Sequence, residues 1–299
     1  MLPMPCISNF HSQLGKRSST THMHAETSSL LARHRSAALL RQTNTLLRLQ
    51  VGIKGISTRD WNQEALVVRG SLSRGDFCSQ SDIDLVLLAD DSALEPADGL
   101  LRKLELLSSS LGRRLSVDFW NYGTLATRSR SIAFWLGAVE ARILAGDTDF
   151  FLRCRGLWLD TLRRTSASAL FEMRGLDMRR HWNLPERHSP LGMNIKRAEG
   201  GLVDCDFVNL IRNFCFCHKP LLCECQVLFD ASKRIRDQLF LIKSLIYDIT
   251  ASPRESALLS PECPHVPSVL SPNRVAYLLD SQKDILEVLK EKLKCGPIH

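Results

Sequence analysis

The sequence predicts an α+β protein: a small mixed sheet followed by a C-terminal helical bundle. Two observations carry this. Three short runs rich in Val, Leu, Ile and aromatic residues, at 64–69, 82–89 and 114–120, have the length and composition of strands. From about residue 128 onward the apolar spacing turns helical.

Taken in order, residues 1–25 are rich in Ser, Thr and His and predict a disordered N-terminus. Apolar residues from Leu30 to Leu49 recur at helical spacing and predict a helix over 26–50, with Leu30, Leu31, Leu39, Leu40, Leu46 and Leu47 on or near its buried side. Strands follow at 64–69 and 82–89. Asp90, Asp91, Ser92 and Pro96 mark a loop, a helix spans 97–111, and the third strand holds Asp118. Helices are expected to cover one face of this sheet. Further helices are predicted at 131–145 and 147–177, separated by the stop and cap pair Gly146-Asp147. A loop over 181–200, helices at 202–215 and 222–249, a Pro/Ser-rich loop over 253–272 and a last helix at 273–294 complete the chain. The expected division is a disordered segment 1–25, a catalytic domain 26–127 and a helical domain 128–299.

Composition bounds the function. With 299 residues there is room for two modest cores. Apolar content of 44% and charged content of 24% are ordinary for a globular protein, and no apolar run reaches the length of a membrane span. The net charge of +7 suits a protein that handles nucleotides or docks an acidic partner. No aromatic-basic stripe points to nucleic-acid binding. The N-terminal segment has no long apolar stretch of the signal-peptide kind, so a cytoplasmic location with reduced thiols is expected, although its basic character also suits mitochondrial targeting. Among the ten cysteines, Cys215, Cys217, Cys223 and Cys225 cluster with His218. Such a group can bind zinc, but the usual two-residue spacing is missing and the surroundings read as helix, which favours ordinary thiols.

The chemistry lies in ALVVRGSLSRGDFCSQSDIDLVLLA, residues 65–89. Alternate strand residues share a face, so Asp82 and Asp84 project together. Two like charges held that close call for a cation between them, and Mg²⁺ (or Mn²⁺) prefers oxygen ligands while leaving room for substrate phosphates. Gly70 permits a sharp turn and close approach. The Ser71 hydroxyl, neighbouring N–H groups and Arg74 could then hold phosphate. A phosphate cradle facing a metal-binding carboxylate pair describes nucleotidyl transfer. Asp118, if its strand lies beside that of Asp84, adds a third carboxylate and with it the means to hold two metals. Lys196 precedes a Gly200-Gly201 turn that opens a helix at Leu202, an arrangement that attracts anions.

These residues resemble the nucleotidyltransferase superfamily that includes DNA polymerase β. Its motif is an apolar residue, Gly-Ser or Gly-Gly, a short spacer, Asp-x-Asp or Asp-x-Glu, and a later acid. Here Gly70, Ser71, Asp82, Asp84 and Asp118 fill those places. Within it, Arg74-Gly75-Asp76 followed by Ser81-Asp-Ile-Asp-Leu85 looks most like the PII uridylyltransferases, with Asp76 in place of their usual Glu. Val139-Glu-Ala-Arg-Ile-Leu-Ala-Gly-Asp147 is similar to the segment after the catalytic domain in the same family. Lys196, Gly200, Gly201, Leu202, Asp204 and Phe207 also match a motif of the glutamine synthetase adenylyltransferases, whereas Ala198 departs from the Gly common in the uridylyltransferases.

The resemblance implies transfer of UMP or AMP from UTP or ATP to an acceptor hydroxyl on a protein, PII-like or another regulatory target, with release of pyrophosphate. It implies Asp82, Asp84 and Asp118 as metal-binding and catalytic residues. Gly70, Ser71, Arg74, Lys196, Gly200 and Gly201 would bind the nucleotide. The alternatives are transfer to a small molecule and a non-catalytic nucleotide-binding regulator. No His-Asp dipeptide occurs in the 299 residues, so the metal-dependent hydrolase that removes uridylyl groups in full-length family members is expected to be missing from this chain.

Overall fold

The computed structural model describes residues 37–39, 41–52, 61, 63–78, 81–90, 98–111, 114–121, 131–181, 194–214, 225–251 and 271–294. The expected disordered N-terminus, the Pro/Ser-rich loop and Cys215, Cys217, His218 and Cys223 lie outside the described residues. Among the described residues the chain is α+β. Helix α1 covers 41–52. There follow β1 (Glu64–Arg69), a single turn α2 (Gly70–Arg74), β2 (Ile83–Ala89), α3 (Asp98–Leu111), β3 (Leu115–Asn121), α4 (Ile132–Val139) and β4 (Arg142–Gly146). The rest is helical: α5 (Thr148–Arg164), α6 (Ala167–His181), α7 (Leu202–Phe214), α8 (Gln226–Ala251) and α9 (Pro272–Lys294).

The sheet has the order β3-β2-β1-β4. β1 runs antiparallel to β2 and β4, and β2 runs parallel to β3. The parallel pair is joined through α3, as a parallel connection requires a crossover. The period of two sorts the side chains. Ala65 and Val67 of β1, Val86 and Leu88 of β2 and Trp120 of β3 enter one core, which continues without a break through α5, α7 and α8 to Leu286 and Leu289 of α9. Leu66, Val68, Leu85 and Leu87 enter the other, beneath Leu47 of α1 and Leu104 of α3. Both faces of the sheet are therefore covered, where the sequence predicts one.

Two other expectations are corrected. The stretch 131–145 is not one helix. It is α4 followed by the edge strand β4, whose residues pair with Ala65 through Val68. Ile143 packs into one core, and Leu144 and Ala145 into the other, which a helix continuing from α4 could not achieve. Gly146 ends the strand at φ +114°, where an added Cβ would lie 2.7 Å from Ala65 Cα. The stretch 147–177 is divided between α5 and α6. Asp147 caps α5 as its position suggests, accepting from Phe150 N at 2.9 Å. Thr165 is extended, and Ser166 Oγ accepts from Ala169 N at 3.2 Å, which starts a new helix. Asp177 of α6 then reaches back to the start of α4, accepting from Ser131 Oγ at 2.9 Å and Ala133 N at 3.2 Å.

Candidate active site

The site lies on the sheet face that meets the helical core, at the end where β1 leaves and β2 enters. Arg69, the last residue of β1, is directly opposite Asp84. Asp84 is opposite Ser116, and Val86 is opposite Asp118. Paired residues share a face, so Arg69, Asp84 and Asp118 all point the same way. Asp82, just before β2, follows the same alternation and is exposed, while Asp84 is half-buried.

Gly70 fixes how close the backbone comes. It sits at φ +70°, and an added Cβ would lie 2.5 Å from Asp84 Oδ2. The turn therefore packs directly on the carboxylate. Ser71 follows in α2, partly exposed, and its carbonyl accepts from Asp76 N at 2.9 Å. Ser73 Oγ donates to Gly70 O at 2.9 Å and holds the turn closed. Burial raises the Asp84 carboxyl above its ordinary range and the like charge of Asp82 adds to this, while Arg69, Lys196 and Arg74 oppose it. Two carboxylates on one face, one sensing the other's charge, suit an oxygen-preferring divalent cation.

Asp118 shares their face of the sheet and is ion-paired. Arg69 Nη2 donates to Asp118 Oδ2 in a short ion pair. The guanidinium carbon also stands 5.4 Å from the centre of the Trp120 ring, a cation–π distance. Trp120 is anchored in turn by Phe134 and Trp158, with ring centroids 4.9 and 5.7 Å away. Among the described residues no group of three or more Asp, Glu, His or Cys side chains is placed to hold one metal ion. Arg69 was not singled out in the sequence. The available signal was a basic residue where the resembling motif has an apolar one.

Arg74 faces a cluster of acids. Its Nε lies 3.3 Å from Asp76, 3.6 Å from Glu140 and 3.7 Å from Asp206. Arg236 of α8 completes the cluster, donating to Asp206 Oδ1 at 2.6 Å and pairing with Asp76. Two guanidinium groups and three carboxylates thereby tie α2 and the Glu140 turn between α4 and β4 to α7 and α8. Burial pushes the Glu140 carboxyl up to about 7, against the pull of Arg74. A cavity of about 290 Å³ adjoins this cluster, with Cys205, Arg212, Phe229 and Lys233 also on its wall. Arg236 escapes a sequence reading because its partners are remote, Asp76 lying 160 positions away, and Glu140 and Asp206 are visible in the sequence only as members of motifs, not as partners of Arg74.

Lys196 comes to the same neighbourhood. Burial lowers its ammonium pKa to about 8, with Lys243, Arg197 and Arg74 adding to the shift and Asp84 opposing it. The turn that carries it is built by Ala198 N donating to Asn194 O at 2.7 Å and Val203 N donating to Lys196 O at 3.1 Å. Gly200 and Gly201 are both buried. A Cβ on Gly200, at φ +79°, would lie 2.0 Å from Leu279 O of α9, and one on Gly201 would lie 2.6 Å from Ile195 O. These glycines let two backbones meet. Gly200 N donates to Asp204 Oδ2 at 2.7 Å, and Arg174 binds the same fully buried carboxylate through two bonds of 2.6 and 2.7 Å. Cys225 is fully buried. No helix among the described residues is long and apolar enough to cross a membrane.

No protein-family model matches the chain. The chain is 28% identical over 142 residues to the bifunctional uridylyltransferase/uridylyl-removing enzyme of Burkholderia pseudomallei, covering 47% of this chain and 16% of that protein. It is 28% identical over 168 residues to the enzyme of the same name from Streptomyces coelicolor, covering 51% of this chain and 18% of that protein. The matched stretch thus spans less than a fifth of these relatives. This distant, partial similarity relates the chain to the nucleotidyltransferases and supports a nucleotidyltransferase-like function.

Proposed function

We propose that the chain is a metal-dependent nucleotidyltransferase that transfers UMP or AMP from a nucleoside triphosphate to an acceptor hydroxyl on a protein. In this reaction the acceptor O–H loses its proton and its oxygen bonds to the α-phosphorus. The bond from that phosphorus to the bridging oxygen of the β-phosphate breaks, and pyrophosphate leaves with the electron pair. The observation that carries the proposal is the pairing of Asp82 and Asp84 beside Gly70, whose backbone abuts the Asp84 carboxylate.

Asp82 and Asp84 would hold Mg²⁺ or Mn²⁺, which would neutralise charge on the triphosphate as the leaving group forms. Gly70 and Ser71 present the turn on which phosphate oxygens would rest. Lys196 would add a positive charge from the helical side of the cleft. Arg74, held by its acids, would act at longer range on Asp84. Gly200 and Gly201 would serve nucleotide binding indirectly, by fixing the turn that carries Lys196. A PII-like or other regulatory protein is the acceptor class that the family resemblance implies.

The test is incubation of the purified chain with Mg²⁺ or Mn²⁺, each of the four labelled nucleoside triphosphates and a soluble lysate, with the wild type and Asp82→Asn side by side. A labelled protein band that needs Asp82 supports the proposal and names the base. Label found only in small molecules, or activity that survives Asp82→Asn, overturns it.

A further inference from the structure

The cleft holds a cation of its own. Arg69 stands directly across the ladder from Asp84. Its guanidinium is ion-paired with Asp118, the next acid on the same face of the sheet. The side chain is only 21% exposed. Trp120 supports it from one side, and on the other an added Cβ on Gly137 of α4 would lie 3.4 Å from Arg69 Cδ. Its Nε is buried, with no hydrogen-bond acceptor among the described residues. Arg69 is therefore fixed in place between the two strand carboxylates.

We propose that Arg69 stands in for a second metal ion at Asp118, so that the site takes one divalent cation, at Asp82 and Asp84, and not two. The inference rests on the nucleotidyltransferase reading above. A pair of catalytic metals sits about 3.5–4 Å apart and needs carboxylates shared between them or held beside them. Asp118 has an oxygen committed to a guanidinium, and the positive charge of Arg69 disfavours a second cation at that end. The same charge does part of what a second ion does: it balances Asp118 and leaves the cleft less negative. Unlike an ion, it is present whatever the metal concentration. Occupancy by metal should follow a single-site curve.

The experiment counts Mn²⁺ bound to the full chain by electron paramagnetic resonance, without nucleotide. The wild type is expected to bind one ion. Arg69→Leu should bind two, and the double variant Arg69→Leu with Asp118→Asn should return to one. Arg69→Gln, which keeps a side chain against Trp120, replaces the leucine variant should that one fail to fold, and thermal unfolding reports which variants are native. Two ions in the wild type, or one in a folded Arg69 variant, would overturn the inference and leave the proposed function standing. No bound ion in the wild type would remove the metal site at Asp82 and Asp84, and the proposed function with it.

Discussion

The Gly70 backbone lies against the Asp84 carboxylate so closely that a single added methyl would fall 2.5 Å from Oδ2. The residue that turns the chain and the residue proposed to hold the metal therefore form one packed unit. Gly70→Ala must also place a side chain at φ +70°, a penalty of about 1–2 kcal/mol before any clash. The variant should fold with a lowered melting temperature and bind Mn²⁺ at least tenfold more weakly, read by metal titration beside thermal unfolding. Unchanged metal affinity would show that Asp84 can move away without loss.

Lys196 should titrate near pH 8. Its ammonium is present at pH 7 and lost as pH rises through that value, because burial favours the neutral form. The groups that set this are Lys243 of α8, Arg197 in its own turn, Arg74 of α2 and Asp84 of β2. Affinity for a non-hydrolysable triphosphate should fall between pH 7 and 9 by up to about tenfold, the scale of one pKa unit of differential binding. In Lys196→Ala that limb of the profile should vanish. A wild-type affinity that is flat across the range counts against Lys196 as a phosphate contact.

Glu140 carries the opposite kind of signature, a carboxyl raised to about 7. The folded state therefore binds its proton more tightly than the unfolded chain does. The stabilisation is fully present below the ordinary glutamate range, and it is lost as pH rises through about 7. With its side chain 31% exposed, solvent screening reduces the effect to an estimated 1–2 kcal/mol. Glu140→Gln should gain stability relative to wild type by that amount between pH 5 and pH 8, measured as the difference of two denaturant titrations at each pH.

Asp204 is fully buried and accepts from Arg174 and Gly200 N. Asp204→Ala would leave a guanidinium and a backbone N–H unpaired in the core. Removing one partner of a buried pair costs about 3–5 kcal/mol, which in a chain of this size lowers the melting temperature on the order of 10 °C. Calorimetry reads this directly. A shift of only a degree or two would mean that the pair contributes little.

The strands at 64–69 and 82–89 are legible in the sequence because their short apolar runs and their Gly-Ser and Asp-x-Asp boundaries are local signals, and the structure has them at Glu64–Arg69 and Ile83–Ala89. β4 is not legible. Arg142-Ile-Leu-Ala-Gly146 has residues that suit a helix, and what makes it a strand is pairing with residues some seventy-five positions earlier. The break at Thr165-Ser166 is subtler still, two small polar residues in an otherwise continuous helical pattern. Asp82 and Asp84 declare themselves by spacing alone. Asp118 is found by its strand, but its partner Arg69 is 49 positions away and reads on its own as a solvated strand end. Charge relationships of this kind exist only once the sheet is assembled.

The contact between Gly200 and Leu279 limits how this chain can be cut. The turn bearing Lys196 leans directly on the backbone of α9, with no side chain between them. A fragment ending before residue 271 would keep both aspartates of β2 and the Gly70 turn, yet Gly200 would face water in place of Leu279. Lys196 would then lose the support that holds it opposite the strands. The smallest portion of this chain expected to take up a nucleotide therefore runs through α9, a helix that supplies none of the proposed ligands.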